Sequence, residues 1–204
     1  MQELTGSTYF KVASLKNGVR IVLRPFISTD RDGLLAFFKK LPREELDSMR
    51  EDVTDPDVID DWIKNMDSNR VFSFIAETGD QIIGDATLYK WPHGWHRHVG
   101  EIRLSVDMNY RTQGLGLLMA SELVSLAMQF GLDKLVANVM KDQVRIISML
   151  ERLGFLKEAE LKGHIMDSAG RKHDMVIMTN FVGALWERLF DSEFYQVRLN
   201  QMED

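Results

Sequence analysis

The sequence predicts an α/β (α+β) fold, a mixed and mostly antiparallel central sheet flanked by helices. Three observations carry this. Runs of period-two alternation recur at 19–23, 71–91, 96–106 and 158–179, and most are joined by glycine-bearing turns, which is the pattern of hairpins. Between 107 and 153 the order changes to loop, helix, strand, helix, the pattern of a crossover unit. Over 204 residues, 45% hydrophobic and 27% charged side chains allow a sizeable buried core.

The elements follow in order. Tyr9 to Pro25 reads as two strands around Lys16-Asn17-Gly18, because Asn-Gly accepts the positive φ of a tight turn and Val19, Ile21 and Leu23 alternate behind it. Asp30 is placed to cap a helix carrying Leu34, Leu35, Phe37, Phe38 and Leu41. A second, acidic helix carries Val58, Ile59, Trp62, Ile63 and Met66. Residues 71–77 and 81–91 flank Thr78-Gly79-Asp80 as a second hairpin, and 96–106 continues the meander. A helix over 114–130, a strand over 134–139 and a helix over 142–153 stopped by Gly154 come next. Strands at 158–166 and 172–179 close the sheet. The stripe Phe181, Leu185, Trp186, Leu189, Phe190, Phe194 and Val197 predicts a C-terminal helix, which either packs on its own domain or forms a homodimer interface. The expected organisation is one domain over 1–180, opened by the hairpin at about 9–25, with 181–204 as an appendage.

Composition excludes several classes of function. Without cysteine there are no disulfides, thiolate zinc sites or cysteine nucleophiles. No run approaches about 18 apolar residues and no basic-then-apolar leader opens the chain, so no membrane segment or export signal is expected and the cytoplasm is the default location. The formal net charge is −6. Residues 42–67 hold ten acids against Arg43, Arg50 and Lys64. No basic footprint for nucleic acid appears, whereas a cationic partner would suit that segment. A solvated helix face is the other reading of the same acids. His93, His96 and His98 stand close together but straddle a turn, and no metal site is expected there. His164 and His173 are expected to be hydrogen-bonded structural residues of the closing hairpin.

The most informative stretch is 106–124, VDMNYRTQGLGLLMASELV, where a strand enters a loop and the loop a helix whose start holds Gly114 and Gly116. Unpaired N–H groups and the positive end of the helix dipole make an anion site there, and Arg111 adds a charge beside it. A phosphate-bearing ligand is implied. No Lys-Ser/Thr pair follows Gly116, as a Walker loop requires, and Met119 stands where a dinucleotide fingerprint needs a third small residue. What remains is R-x-x-G-x-G over Arg111-Thr112-Gln113-Gly114-Leu115-Gly116. Alone, it is also compatible with an ordinary strand-to-helix connection.

Three matches make the sequence resemble the GNAT superfamily of acyl-CoA-dependent N-acetyltransferases. VDMNYRTQGLG is similar to its V-x-P-x-Y-R-G-x-G-x-G, with Met108 for proline and Thr112 for one glycine. DQVRIISMLERLGF (142–155) is similar to its N-x-x-x-x-x-x-Y-E-x-x-G-F, with Gln143 for asparagine and Leu150 for tyrosine. ELKGHIMDSAGRKHDMVIM (160–178) resembles its closing hairpin. The likeness covers about 19–180, and NGVRIVLRP with the Phe-Phe pair before LPREE is similar to a bacterial branch that acetylates protein lysines. The resemblance implies a sheet of about seven strands and acetyl-CoA as co-substrate, with no metal. It implies that backbone groups of Leu104, Ser105 and Val106 pair with the pantetheine arm. Amides of Thr112, Gln113, Gly114, Leu115, Gly116 and Leu117, beside Arg111, would hold the pyrophosphate, and Gln143 would meet the pantetheine or acetyl end.

Transfer of an acetyl group to an amine needs the neutral amine, and an alkyl ammonium of pKa about 10.4 is only about 0.04% neutral at pH 7. A base is therefore required. Alternation in 96–106 puts Glu101 on the more polar face, five residues before Val106, where many relatives place a glutamate that acts as base; a cross-strand ion pair, for instance with Arg103, is the other reading. The usual acid, a tyrosine, is replaced by Leu150, so water or a shifted residue must serve; Tyr110 is assigned to packing the loop. The expected reaction is direct attack by a primary amine: protein lysine, N-terminus, polyamine or other small amine. The alternative is a non-catalytic acyl-CoA-binding sensor, and another acyl-CoA such as succinyl-CoA is open as donor.

Overall fold

The computed structural model describes residues 10–65 and 70–184. Two compact units make up the chain, one from Met1–Tyr89 with Leu104–Ala120 and the other from Lys90–Arg103 with Ser121–Asp204.

The first unit opens with the expected hairpin, β1 (Lys11–Ser14) and β2 (Arg20–Pro25), paired antiparallel around a turn in which Gly18 takes φ +81°. Helices α1 (Arg31–Phe38), α2 (Arg43–Leu46) and α3 (Pro56–Lys64) follow. α2 is a single turn that periodicity did not reveal. α3 starts where Asp55 accepts the Asp57 N–H (3.0 Å) and Pro56 fills the first helical position, where no N–H is needed. Asp30 does not cap α1. Its carboxylate instead takes the Ile27 N–H (2.8 Å) and both terminal nitrogens of Arg24 (2.7 and 2.8 Å), which closes the turn before the helix.

Strands β3 (Val71–Thr78) and β4 (Gln81–Lys90) form the second hairpin, with a bulge at Ala76/Glu77. β2 pairs antiparallel with β3. Leu34, Leu35, Phe37 and Phe38 bury one face of α1 against Ile59, Ile75 and Ile82, and Trp62 meets the Phe38 ring edge-on at 5.8 Å. Each such side chain contributes roughly 1.5–3 kcal/mol by leaving water, so this cluster holds the helices on their strands.

Strand β5 (Val99–Val106) passes from the second unit into the first, and helix α4 (Leu115–Gln129) passes back. In the second unit β5 pairs parallel with β6 (Lys134–Met140) over Val99, Gly100 and Glu101. Helix α5 (Val144–Arg152) follows, then β7 (Leu156–Met166) and β8 (Lys172–Phe181), with β8 antiparallel to both β6 and β7. The strand order of the eight-stranded sheet is β1-β2-β3-β4-β5-β6-β8-β7, which agrees with the expected mixed, mostly antiparallel sheet of about seven strands. Most of the expected C-terminal helix lies outside the described residues. No helix among the described residues is long and apolar enough to cross a membrane.

Candidate active site

The glycine loop is built by local chemistry in the first unit. Asp107 ends β5 with its N–H on the Ile83 carbonyl (2.9 Å), and its carboxylate accepts the Asn109 N–H (2.9 Å), which turns the chain through Met108–Tyr110. Arg111 is then extended, Thr112 has φ +65° and Gly114 φ +92°. These two left-handed residues swing the backbone into α4, whose first turns are anchored by buried Leu115, Leu118, Met119 and Ala120. Leu118 donates to the Gly114 carbonyl (3.0 Å). The N–H groups before it, on Leu115, Gly116 and Leu117, are those a helix start leaves without an acceptor of its own. From the other side, Lys16 of the β1/β2 turn donates its N–H to the Gln113 carbonyl (3.1 Å) and braces the loop.

Arg111 is not the bare positive charge that the motif suggests. Its Nε and Nη2 both donate to the Val106 carbonyl (3.1 Å each), and Nη2 also meets the Glu45 carboxylate of α2. The two side chains are 29% and 18% exposed. Burial pushes the Glu45 carboxyl up, opposed by the Arg111 charge beside it. An anion at this loop is therefore met chiefly by backbone N–H groups and the helix dipole. Loop and helix start fit a pyrophosphate: glycines where backbone must come close, and N–H donors of a helix start without partners among the described residues. The backbone of Leu104–Val106 leads into this loop, with Ser105 buried.

The second unit carries Glu101, Gln143 and Leu150. Glu101 is half-buried on β5, and its Oε1 accepts a hydrogen bond from Nδ2 of Asn138 on β6 (3.1 Å). Gln143 is the residue before α5, where its carbonyl takes the Ile146 and Ile147 N–H groups (3.0 and 3.2 Å), while its side chain makes no cap. Leu150 is 3% exposed, a core residue of α5. Beside Gln143, Asp142 meets His173 Nδ1 (3.2 Å), and His173 Nε2 meets Asp167 (3.0 Å). The two carboxylates, Asp167 first, hold the imidazole above its ordinary value. His173 is thus a hydrogen-bonded structural residue as expected. The His164 side chain is exposed and makes no hydrogen bond among the described residues.

A family model described as acetyltransferase (GNAT) family matches residues 35–155. The chain belongs to the GNAT acetyltransferase family. By family it is an acyltransferase. Solved structures share the fold. A GNAT acetyltransferase from Streptococcus pneumoniae is 19% identical with a TM-score of 0.69, over 79% of this chain and 99% of that one. A putative acetyltransferase from Salmonella typhimurium with its cofactor acetyl-CoA is 19% identical at TM-score 0.68, over 79% and 94%. Spermidine N-acetyltransferase from Vibrio cholerae, in complex with CoA and spermine, is 16% identical at TM-score 0.69, over 81% and 97%.

Within this GNAT chain the sequence reading missed Glu45 and Asn138. Asn138 had a signal, since asparagine is unusual in a strand such as KLVANVM. Glu45 had none, being one acid among ten. The histidine cluster of 93–98 is exposed, with Trp95 stacked on His96 at 3.5 Å between centroids. Among the described residues no three His, Asp or Glu side chains are grouped to hold a metal ion.

Proposed function

We propose that the protein transfers an acetyl group from acetyl-CoA to a primary amine, with Glu101 as general base. The observation that supports this reading is the 111–117 loop, where two left-handed residues lead into the start of α4, whose first N–H groups are donors of the kind a pyrophosphate needs. In this reading the amides of Thr112 to Leu117 hold the pyrophosphate beside Arg111, backbone groups of Leu104, Ser105 and Val106 pair with the pantetheine, and Gln143 meets its acyl end. When bound, acetyl-CoA supplies a thioester carbonyl open to attack by nitrogen.

The chain's own task is to make and orient the neutral amine. Glu101 accepts the proton that the ammonium must lose, directly or through one water. The new C–N bond forms as the C–S bond breaks, the acylated nitrogen gives its second proton to water, and the leaving sulfur takes a proton from water, because Leu150 has none to give. Lysine side chains, N-termini and polyamines all present the required nitrogen, and the spermine-bound neighbour supports an amine of this kind. Location in the cytoplasm and assembly as a homodimer belong to the same proposal.

Calorimetric titration with acetyl-CoA, on the wild type and on Gly114→Trp, tests the loop: binding is expected in the first and lost in the second. Turnover is then followed with spermidine, spermine and lysine peptides. Glu101→Gln is expected to lower kcat by about 100-fold or more while acetyl-CoA affinity stays. A wild type that binds acetyl-CoA but acetylates none of these amines would favour a sensor instead.

A further inference from the structure

Asparagine is depleted in strands because its amide competes for backbone partners and has little to pack against on a pleated face. In β6 Leu135, Ala137 and Val139 point into the core, which leaves Val136 and Asn138 on the opposite, half-buried face. The parallel ladder sets Glu101 of β5 opposite Val136, so the next side chain on that face is Asn138. Its Nδ2 donates to Glu101 Oε1 at 3.1 Å, between residues 37 apart in sequence. Both side chains stand on paired strands rather than loops, so the bond ties one rigid position to another. Only the amide's NH2 can face a carboxylate, since its oxygen would be repelled. A lysine or arginine there would pair with the carboxylate and weaken it as a base, whereas a neutral donor orients it without adding a countercharge.

We propose that Asn138 is a positioning residue for Glu101, holding the carboxylate in the rotamer that receives the amine's proton. This rests on the reading of Glu101 as general base. The strand pairing sets where the two Cα atoms lie. The amide then narrows the side-chain torsions open to the glutamate. Pre-set geometry of this kind acts on the proton-transfer step and not on acetyl-CoA binding.

The test uses the full chain with the fastest amine from the panel above. Asn138→Leu keeps the size and removes the donor, and its kcat is expected to fall about tenfold, the effect of one charge-assisted hydrogen bond. KM for acetyl-CoA should stay within about twofold. Asn138→Asp keeps the shape but sets a carboxylate against a carboxylate, and it serves if the leucine variant does not fold; its kcat should fall at least as far. In a Glu101→Gln background the same replacements should change kcat by less than about twofold, because there is no base left to position. Multiplying effects in the double variant, or a wild-type kcat in Asn138→Leu, would overturn the positioning role and leave the base intact. A wild-type kcat in Glu101→Gln, or no turnover with any amine, would overturn the base and the positioning role together.

Discussion

Replacing Thr112 with glycine is expected to stabilise the protein, and the size of the effect follows from one backbone angle. Thr112 has φ +65°, and among the described residues no other non-glycine residue has positive φ. The left-handed region brings Cβ against the neighbouring carbonyl at a cost of roughly 1–2 kcal/mol for an L-residue, and a β-branched side chain is ill suited to it. The side chain is exposed, and its hydroxyl has no hydrogen-bond partner among the described residues, so its removal forfeits little. Against this, glycine gives the unfolded chain more freedom, worth roughly 0.5–1 kcal/mol. The difference leaves Thr112→Gly more stable by about 0.5–1 kcal/mol, or about 1–4 °C in Tm for a chain of this length. Thr112→Ala keeps Cβ and should stay within about 0.5 kcal/mol of the wild type. Urea unfolding at unchanged slope reads the shift, and acetyl-CoA affinity should hold within about threefold because glycine favours the same loop conformation. A midpoint for Thr112→Gly below that of the wild type would refute the reasoning, since it would mean that the threonine is held there by contacts and not tolerated in spite of strain.

Two more predictions concern the frame around the site. A Cβ on Gly84 would lie 2.8 Å from Met119 Sδ and 3.3 Å from the Ser105 carbonyl oxygen, so Gly84→Ala should cost about 1–3 kcal/mol and lower Tm in calorimetry; an unchanged Tm would show that Met119 moves aside freely. His173 is held above its ordinary value by Asp167 and Asp142, so its charged form is favoured in the folded state. That stabilisation is fully present below the unfolded value of 6.5 and is lost as pH rises through the folded value. Melting curves at pH values on both sides of this window should therefore show a decline in the wild type that is missing in His173→Gln, and parallel profiles would argue against it.

Much of the fold was legible because its signals are local. Asn17-Gly18 marks a turn by the φ that glycine accepts, and Ile21 and Leu23 mark the buried face behind it by alternation. The Asp55-Pro56 pair starts α3 for reasons contained within three residues. Where competition decides, local reading failed. Asp30 has the residue type and place of a helix cap, but Arg24 of β2 and the Ile27 N–H take its carboxylate. The strand expected from 96 starts only at Val99, because the stretch before it is still completing the turn, with the Val99 N–H on the His96 carbonyl. α2 is too short for any helical period to show.

The same division runs through the candidate site. Its backbone half, Arg111 to Leu117, is written in glycine spacing and could be read directly. Its side-chain half depends on pairs that only folding brings together: Glu45 lies 66 residues from Arg111, and Asn138 lies 37 from Glu101. The acidic segment shows what composition conceals. Glu45 is spent on Arg111, Asp47 on Arg43, Asp60 on Arg31, Asp61 on Lys64, Glu51 on the Trp62 indole and Asp55 on its own helix. Carboxylates paired in this way project a weaker field than ten bare charges, so the segment would steer a cationic acceptor less than its net charge of −7 implies. Glu45 also pairs with the one arginine of the loop, so a pyrophosphate placed there would be met by the backbone more than by a side chain. Acetyl-CoA affinity should then depend on the conformation at Thr112 and Gly114 more than on the charge at Arg111.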